Sequence, residues 1–204
     1  MNQTSEDLHG SAPDSSPVAL LIIDMINDLE FPEGPDFLKP TLAAADRIAA
    51  LKLRAKSANI PVIYINDNFG KWRSNFDDLL AHCLNDGVRG KPVVDRLRPD
   101  ADDYMVLKPK HSIFYATTFE TLITYLQTKT LIMTGIAADV CVLFSAIDAY
   151  VRDLKLIIPP DCIASGSAQN TQDALAYMQR VLSADVVPSA EIDLAGLIAQ
   201  GVGS

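Results

Sequence analysis

The sequence predicts an α/β fold: one domain with three layers (αβα), in which helices flank a six-stranded parallel sheet. Three observations carry this. Short apolar runs, such as Val18 to Ile23 and Thr130 to Thr134, lack the polar alternation of a half-exposed strand and read as strands buried on both faces. Stretches with helical spacing separate these runs, so neighbouring strands need crossover connections. The chain has 204 residues and 49% hydrophobic composition, enough for one sizeable core, with no linker dividing it.

The elements follow in order. Val18 to Ile23 is the first strand and ends at Asp24. Lys39 to Ala58 is a helix with Pro40 near its start, because Leu42, Ala45, Ile48, Leu51 and Ala55 recur at helical spacing. Asn59-Ile60-Pro61 stops it, and Val62 to Ile65 is the second strand. A polar stretch leads to a short helix over Asp77 to Leu84, followed by a long loop over Asn85 to Asp103. Tyr104 to Leu107 is the third strand, ended by Lys108-Pro109. A helix over Thr118 to Gln127 precedes the fourth strand, Thr130 to Thr134, which Gly135 ends. Asp139 to Arg152 is a mostly apolar helix. Leu154 to Ile158 is the fifth strand, stopped by Pro159-Pro160. A helix over Thr171 to Leu182 and a last strand over Asp185 to Val187 complete a domain spanning 18–188. The polar segment 1–17 reads as a disordered tail, and 189–204 as a weakly patterned one.

The totals exclude several functions. A formal net charge of −9 and a pI near 4.7 argue against nucleic acid and anionic membranes as partners. The longest apolar run is too short to span a bilayer, and the amino-terminal segment lacks a signal peptide's basic and apolar regions. The three cysteines, Cys83, Cys141 and Cys162, are odd in number and widely spaced, which suits a reducing, cytoplasmic compartment better than a disulfide framework. His9, His82 and His111 show no metal-ligand spacing, and no phosphate-cradling glycine motif or GxSxG elbow occurs. No metal and no cofactor is expected.

In parallel sheets, ligands bind beyond the carboxyl ends of the strands, near the point where the strand order reverses. Asp24 follows the first strand, Lys108 the third, and Cys141 lies a few residues after the fourth, in the first turn of the next helix. The order 3-2-1-4-5-6 would place Asp24 and Cys141 across that crevice, with Lys108 reaching in from the side. A thiol with a pKa of about 8.5 becomes a nucleophile when a helix N-terminus and a nearby cation lower that value. Asp24 would accept the thiol proton and return it to a leaving amine, while Lys108 would keep Asp24 ionised. Backbone N–H groups at the helix start would hold an oxyanion. Each residue alone also has a structural reading: Cys141 as core, Asp24 as a turn cap, Lys108 as a solvated strand end. Lys110 shares a face with Lys108 and competes with it. Cys83, Cys162 and Phe114 read as core, and His111 as solvated or capping.

Three segments resemble the isochorismatase-like cysteine hydrolases: Ala19 to Asp28, Lys108 to Phe114, and Gly135 to Val142. The similarity runs in the same order from Val18 to Pro188. It implies an Asp–Lys–Cys triad of Asp24, Lys108 and Cys141, which favours Lys108 over Lys110. It also implies a cis peptide between Ile136 and Ala137, an oxyanion hole from the Ala137 and Cys141 N–H groups, pocket walls at Leu29 and Trp72, and a homodimer or larger homo-oligomer. Trp72 reads equally as a surface-loop aromatic. The chain departs from the family's nicotinamidase branch, which binds a metal through histidines after the second strand, because 66–72 has none. Ile26 stands where the family usually has Gln. The expected activity is thioester-mediated hydrolysis of a C–N bond in a small amide or ureide. The alternatives are a vinyl ether hydrolase on the same scaffold and a non-enzymatic binding protein that keeps the fold.

Overall fold

The computed structural model describes residues 14–70 and 75–201. Its elements are β1 (Val18–Ile23), α1 (Gly34–Ser57), β2 (Val62–Asp67), α2 (Phe76–Asn85), α3 (Lys91–Arg96), β3 (Tyr104–Lys108), α4 (Phe119–Tyr125), β4 (Thr130–Ile136), α5 (Leu143–Tyr150), β5 (Lys155–Ile157), β6 (Ile163–Ala164), α6 (Ala168–Val181) and α7 (Leu194–Gly201). A π-helical turn, Ala138–Val142, runs into α5. The six strands pair in parallel in the order β3-β2-β1-β4-β5, and β6 pairs with β4.

The far edge of the sheet differs from the expected order. β5 pairs with the start of β4 (Thr130 to Ile132), and β6 with its end (Gly135, Ile136), so the two are successive pieces along one flank of β4. Pro159 and Pro160 lie between them and have no N–H to give a ladder. The expected last strand at Asp185 to Val187 is reduced to one parallel bridge, Asp185 to Ile157. It has only the three residues of β5 to pair with, and Pro188 closes it.

Alternate β1 and β2 side chains feed two cores, as the period of two requires. Leu20, Ile22, Val62 and Tyr64 pack with α1, α2, α3 and α7, whereas Leu21, Ile23, Ile63 and Ile65 pack with α4, α5 and α6. All six β1 residues are fully buried. Each large aliphatic one contributes about 1.5–3 kcal/mol.

Helix α1 begins at Gly34, not Lys39, because Pro35 already occupies its first turn and Pro40 is accommodated inside it. The long connection after α2 is not structureless, since its Pro92 starts α3, which packs Val93 and Val94 into the core. The segment from 189 is not a loose tail. Arg54 donates to the Ser189 and Ile192 carbonyls at 2.6 Å each, and Ile192 and Leu194 are buried. Of the expected amino-terminal tail, 1–13 lies outside the described residues. Ser16 is already fixed, its N–H donating to the Leu126 carbonyl at 2.8 Å.

Gly135 pairs with Ile23 of β1 and has φ +117. A Cβ there would lie 2.0 Å from the Ile23 carbonyl oxygen, a backbone atom that cannot move aside. Gly135→Ala is therefore expected to destabilise the fold by at least about 3 kcal/mol. Urea unfolding measures this, and a loss below about 1 kcal/mol would contradict the close approach.

Candidate active site

The carboxyl ends of β1, β2 and β3 and the turn after β4 converge on one crevice. Asp24, one residue past β1, has φ 55, in the left-handed region that non-glycine residues seldom occupy. Two bonds to β2 hold it there. Its N–H donates to the Ile65 carbonyl at 2.9 Å, and its Oδ1 accepts the Asp67 N–H at 2.7 Å. Its other oxygen, Oδ2, lies 2.9 Å from Lys108 Nζ.

Lys108 is the last residue of β3, and its side chain is fully buried. Its ammonium also lies 3.7 Å from Asp67 Oδ2 and 3.5 Å from Cys141 Sγ. Lys110, the competing lysine, is exposed. Asp67 ends β2 directly opposite Lys108 in the sheet register. Asp24, Lys108 and Cys141 thus meet, and Asp67 joins them.

Cys141 stands in the π-turn, where both the Val140 and Val142 N–H groups donate to the Ala137 carbonyl at 3.1 Å. Such turns recur at functional sites. The peptide before Ala137, from Ile136, is cis. Asp139 anchors the turn to the next elements, accepting Ser165 Oγ at 2.5 Å and Asn170 Nδ2 at 2.9 Å. Behind the cysteine, Ser145 Oγ donates to the Cys141 carbonyl at 2.6 Å and accepts the Ile113 N–H at 3.1 Å. That clamp ties the segment after Lys108 to the turn that carries Cys141.

Above these groups lies a cavity of about 770 Å³, with Asp24, Ala137 and Cys141 among its lining. Phe31, Phe37 and Phe69 form an aromatic wall, while Glu33, Asp36 and Asp139 add carboxylates. His111 also lines it, with Nδ1 3.9 Å from Cys141 Sγ and its ring against Phe144. It is exposed, as the sequence reading expects, and also reaches the thiol. Leu29, the expected wall, is 1% exposed and packs in the core instead. Phe37 reaches the crevice because α1 starts early and carries it there, while Phe31 comes from the connection just before that helix and packs against Phe37. Trp72 lies outside the described residues.

Burial reverses the expected activation of the thiol. Withdrawal from water, reinforced by the Asp24 charge, pushes Cys141 up to about 12 against the pull of Lys108. Burial also raises the Asp24 carboxyl above its usual range, against the Lys108 ammonium and a hydrogen bond from the Cys141 thiol. Burial alone would lower Lys108, but Asp24, Cys141 and Asp67 together hold it above its ordinary value. The resting thiol therefore keeps its proton, with the Lys108 ammonium 3.5 Å from the sulfur. Alkylation of Cys141 by iodoacetamide is expected to accelerate steadily up to about pH 10, beyond the point near 8.5 where a free thiol levels off. A plateau below about pH 9 would contradict this proton placement.

Among the described residues, the group close enough to hold a metal ion is Asp100, Asp102 and Asp103. It lies at the amino end of β3, at the opposite end of the sheet, and Lys56 Nζ already meets its three carboxylates at 2.6–3.0 Å. No described helix is long and apolar enough to cross a membrane.

Comparison with known proteins gives a consistent picture. Residues 18–191 match the family model of the Isochorismatase domain. The uncharacterized isochorismatase family protein YaaI of Bacillus subtilis (strain 168) is 42% identical over 174 residues, covering 85% of this chain and 95% of that protein. Enterobactin synthase component B of Escherichia coli (strain K12) is 32% identical over 134 residues, 64% of this chain but only 47% of its own length. Among solved structures, N-carbamoylsarcosine amidase from Thermoplasma acidophilum superposes with a TM-score of 0.65 at 28% identity, covering 86% of this chain and 98% of that one.

Proposed function

Since the chain belongs to the isochorismatase family of hydrolases, we propose that it hydrolyses a C–N bond of a small amide or ureide through a Cys141 thioester. The observation that carries this reading is the contact of three groups at the cavity floor: Cys141 Sγ 3.5 Å from Lys108 Nζ, which lies 2.9 Å from Asp24. A similar solved structure is an amidase by name, which agrees with it.

In this reading each group has a task. Asp24 takes the thiol proton as sulfur attacks the carbonyl carbon, so no free thiolate needs to accumulate at a group that titrates at about 12. Lys108 steadies the negative charge as it passes from Asp24 to sulfur. The N–H groups of Ala137 and Cys141 receive the oxyanion. Asp24 then gives its proton to the leaving nitrogen, and the C–N bond breaks. Water attacks the thioester, Asp24 accepts a proton from it, and the thiol is restored with release of the acid.

A panel of small amides and ureides, quenched during turnover and examined by mass spectrometry, tests the proposal. The expected result is an acyl mass on the peptide bearing Cys141. Turnover of a substrate with no such adduct, undiminished in Cys141→Ala, would overturn it.

A further inference from the structure

We propose that the substrate carries a positive charge on the part that is not cleaved: an ammonium, guanidinium or quaternary amine held against the acidic and aromatic wall of the cavity. This rests on the reading of Cys141 as the nucleophile of that cavity. It adds which molecules the cavity selects.

Of the described residues lining the cavity, Asp24, Glu33, Asp36, Asp67 and Asp139 carry carboxylates, and none is lysine or arginine. Lys108 lies beneath the floor and offsets Asp24. Asp139 is hydrogen-bonded only by the neutral groups of Ser165 and Asn170, which leave its charge in place. Glu33 and Asp36, at the exposed start of α1, have no side-chain partner among the described residues. The one basic side chain in the described lining, His111, stands at the reacting sulfur, 3.9 Å from it.

The aromatic wall points to the same chemistry. Phe31 and Phe37 meet edge to face with centroids 5.3 Å apart. A Cβ at Gly166 would lie 2.8 Å from the Phe37 ring, so glycine there is what lets the ring lean into the cavity. Ring faces attract cations, and carboxylates beside them add to that attraction. A substrate bearing a carboxylate would meet like charge instead, inside low-dielectric walls that focus the field.

Three thiol reagents of similar size test this on the full chain. They are methanethiosulfonates bearing a trimethylammonium-ethyl, a sulfonato-ethyl or a neutral methyl group, each rate normalised to that of 2-mercaptoethanol. Cys83 and Cys162 are fully buried, so modification is read at Cys141 by mass spectrometry. At low ionic strength the cationic reagent is expected to react about tenfold faster than the anionic one. The ratio should fall toward unity in the Glu33→Gln/Asp36→Asn double variant and in high salt. Within the amide panel, cationic members should exceed their carboxylate isosteres in kcat/KM by a similar factor. A ratio near or below one, a ratio indifferent to the double variant, or the reverse order in the panel would overturn the inference, while a labelled Cys141 would leave the hydrolase reading standing. If no reagent labels Cys141 in the folded protein but all label the unfolded chain, both fall.

Discussion

Cys141→Ala is expected to lower amide hydrolysis by roughly 10⁴-fold or more, the scale on which nucleophile removal acts in other covalent hydrolases. The reason is specific to this site. In the proposed mechanism Asp24, held by the Asp67 N–H at 2.7 Å and Lys108 at 2.9 Å, serves the sulfur, and neither Asp24 nor Lys108 replaces it as nucleophile. Asp24→Asn should cost nearly as much, because an amide cannot accept the proton of a thiol that titrates at about 12. The two losses should not add, since both remove the same step. Thermal unfolding of Cys141→Ala should stay close to that of the wild type, the thiol being only partly buried. A Cys141→Ala protein that still turns over a vinyl ether at full rate would transfer the site to ether cleavage.

Lys108→Met is expected to destabilise the fold by about 3–5 kcal/mol at neutral pH, as well as abolish turnover. The lysine side chain is fully buried, and removing its charge leaves the Asp24 carboxylate, 6% exposed, with no ammonium beside it. Asp24 already sits above its usual range through burial. Without Lys108 it rises further. A carboxyl raised on folding favours the folded state only when protonated, so the penalty of the variant is full above that raised pKa and shrinks as pH falls through it. Urea unfolding at neutral pH and near pH 5 reads this sign, and Lys108→Met/Asp24→Asn should recover most of the loss. A loss below about 1 kcal/mol, or one indifferent to Asp24→Asn, would mean that the pair is not coupled as its geometry requires.

Both expectations concern residues legible in the sequence, because each lies at or just after the carboxyl end of an apolar run. Asp67 satisfies the same criterion. It escapes notice because its neighbours Asn66 and Asn68 read as loop and the apolar run stops at Ile65. The structure extends β2 to Asp67, opposite Lys108. The cavity wall is missed for a related reason. With α1 placed from Lys39, Phe37 falls in a connection, whereas the helix from Gly34 sets it in the cavity wall against Phe31 of the preceding loop. Leu29 goes the other way, into the core. Short elements such as α3 and α7 carry too few turns for their spacing to stand out.

What the sequence determined by itself is the parallel sheet, its central strands and the chemical identity of the three groups, since apolar runs and strand ends are local properties of the chain. What only the tertiary structure decided is how those groups behave together. The thiol titrates upward rather than downward because burial and Asp24 outweigh Lys108, and the described lining of the cavity is acidic because residues from α1, β2 and the π-turn meet there. Proton affinity and local field depend on distances and on the exclusion of water, and those are set only when distant segments pack.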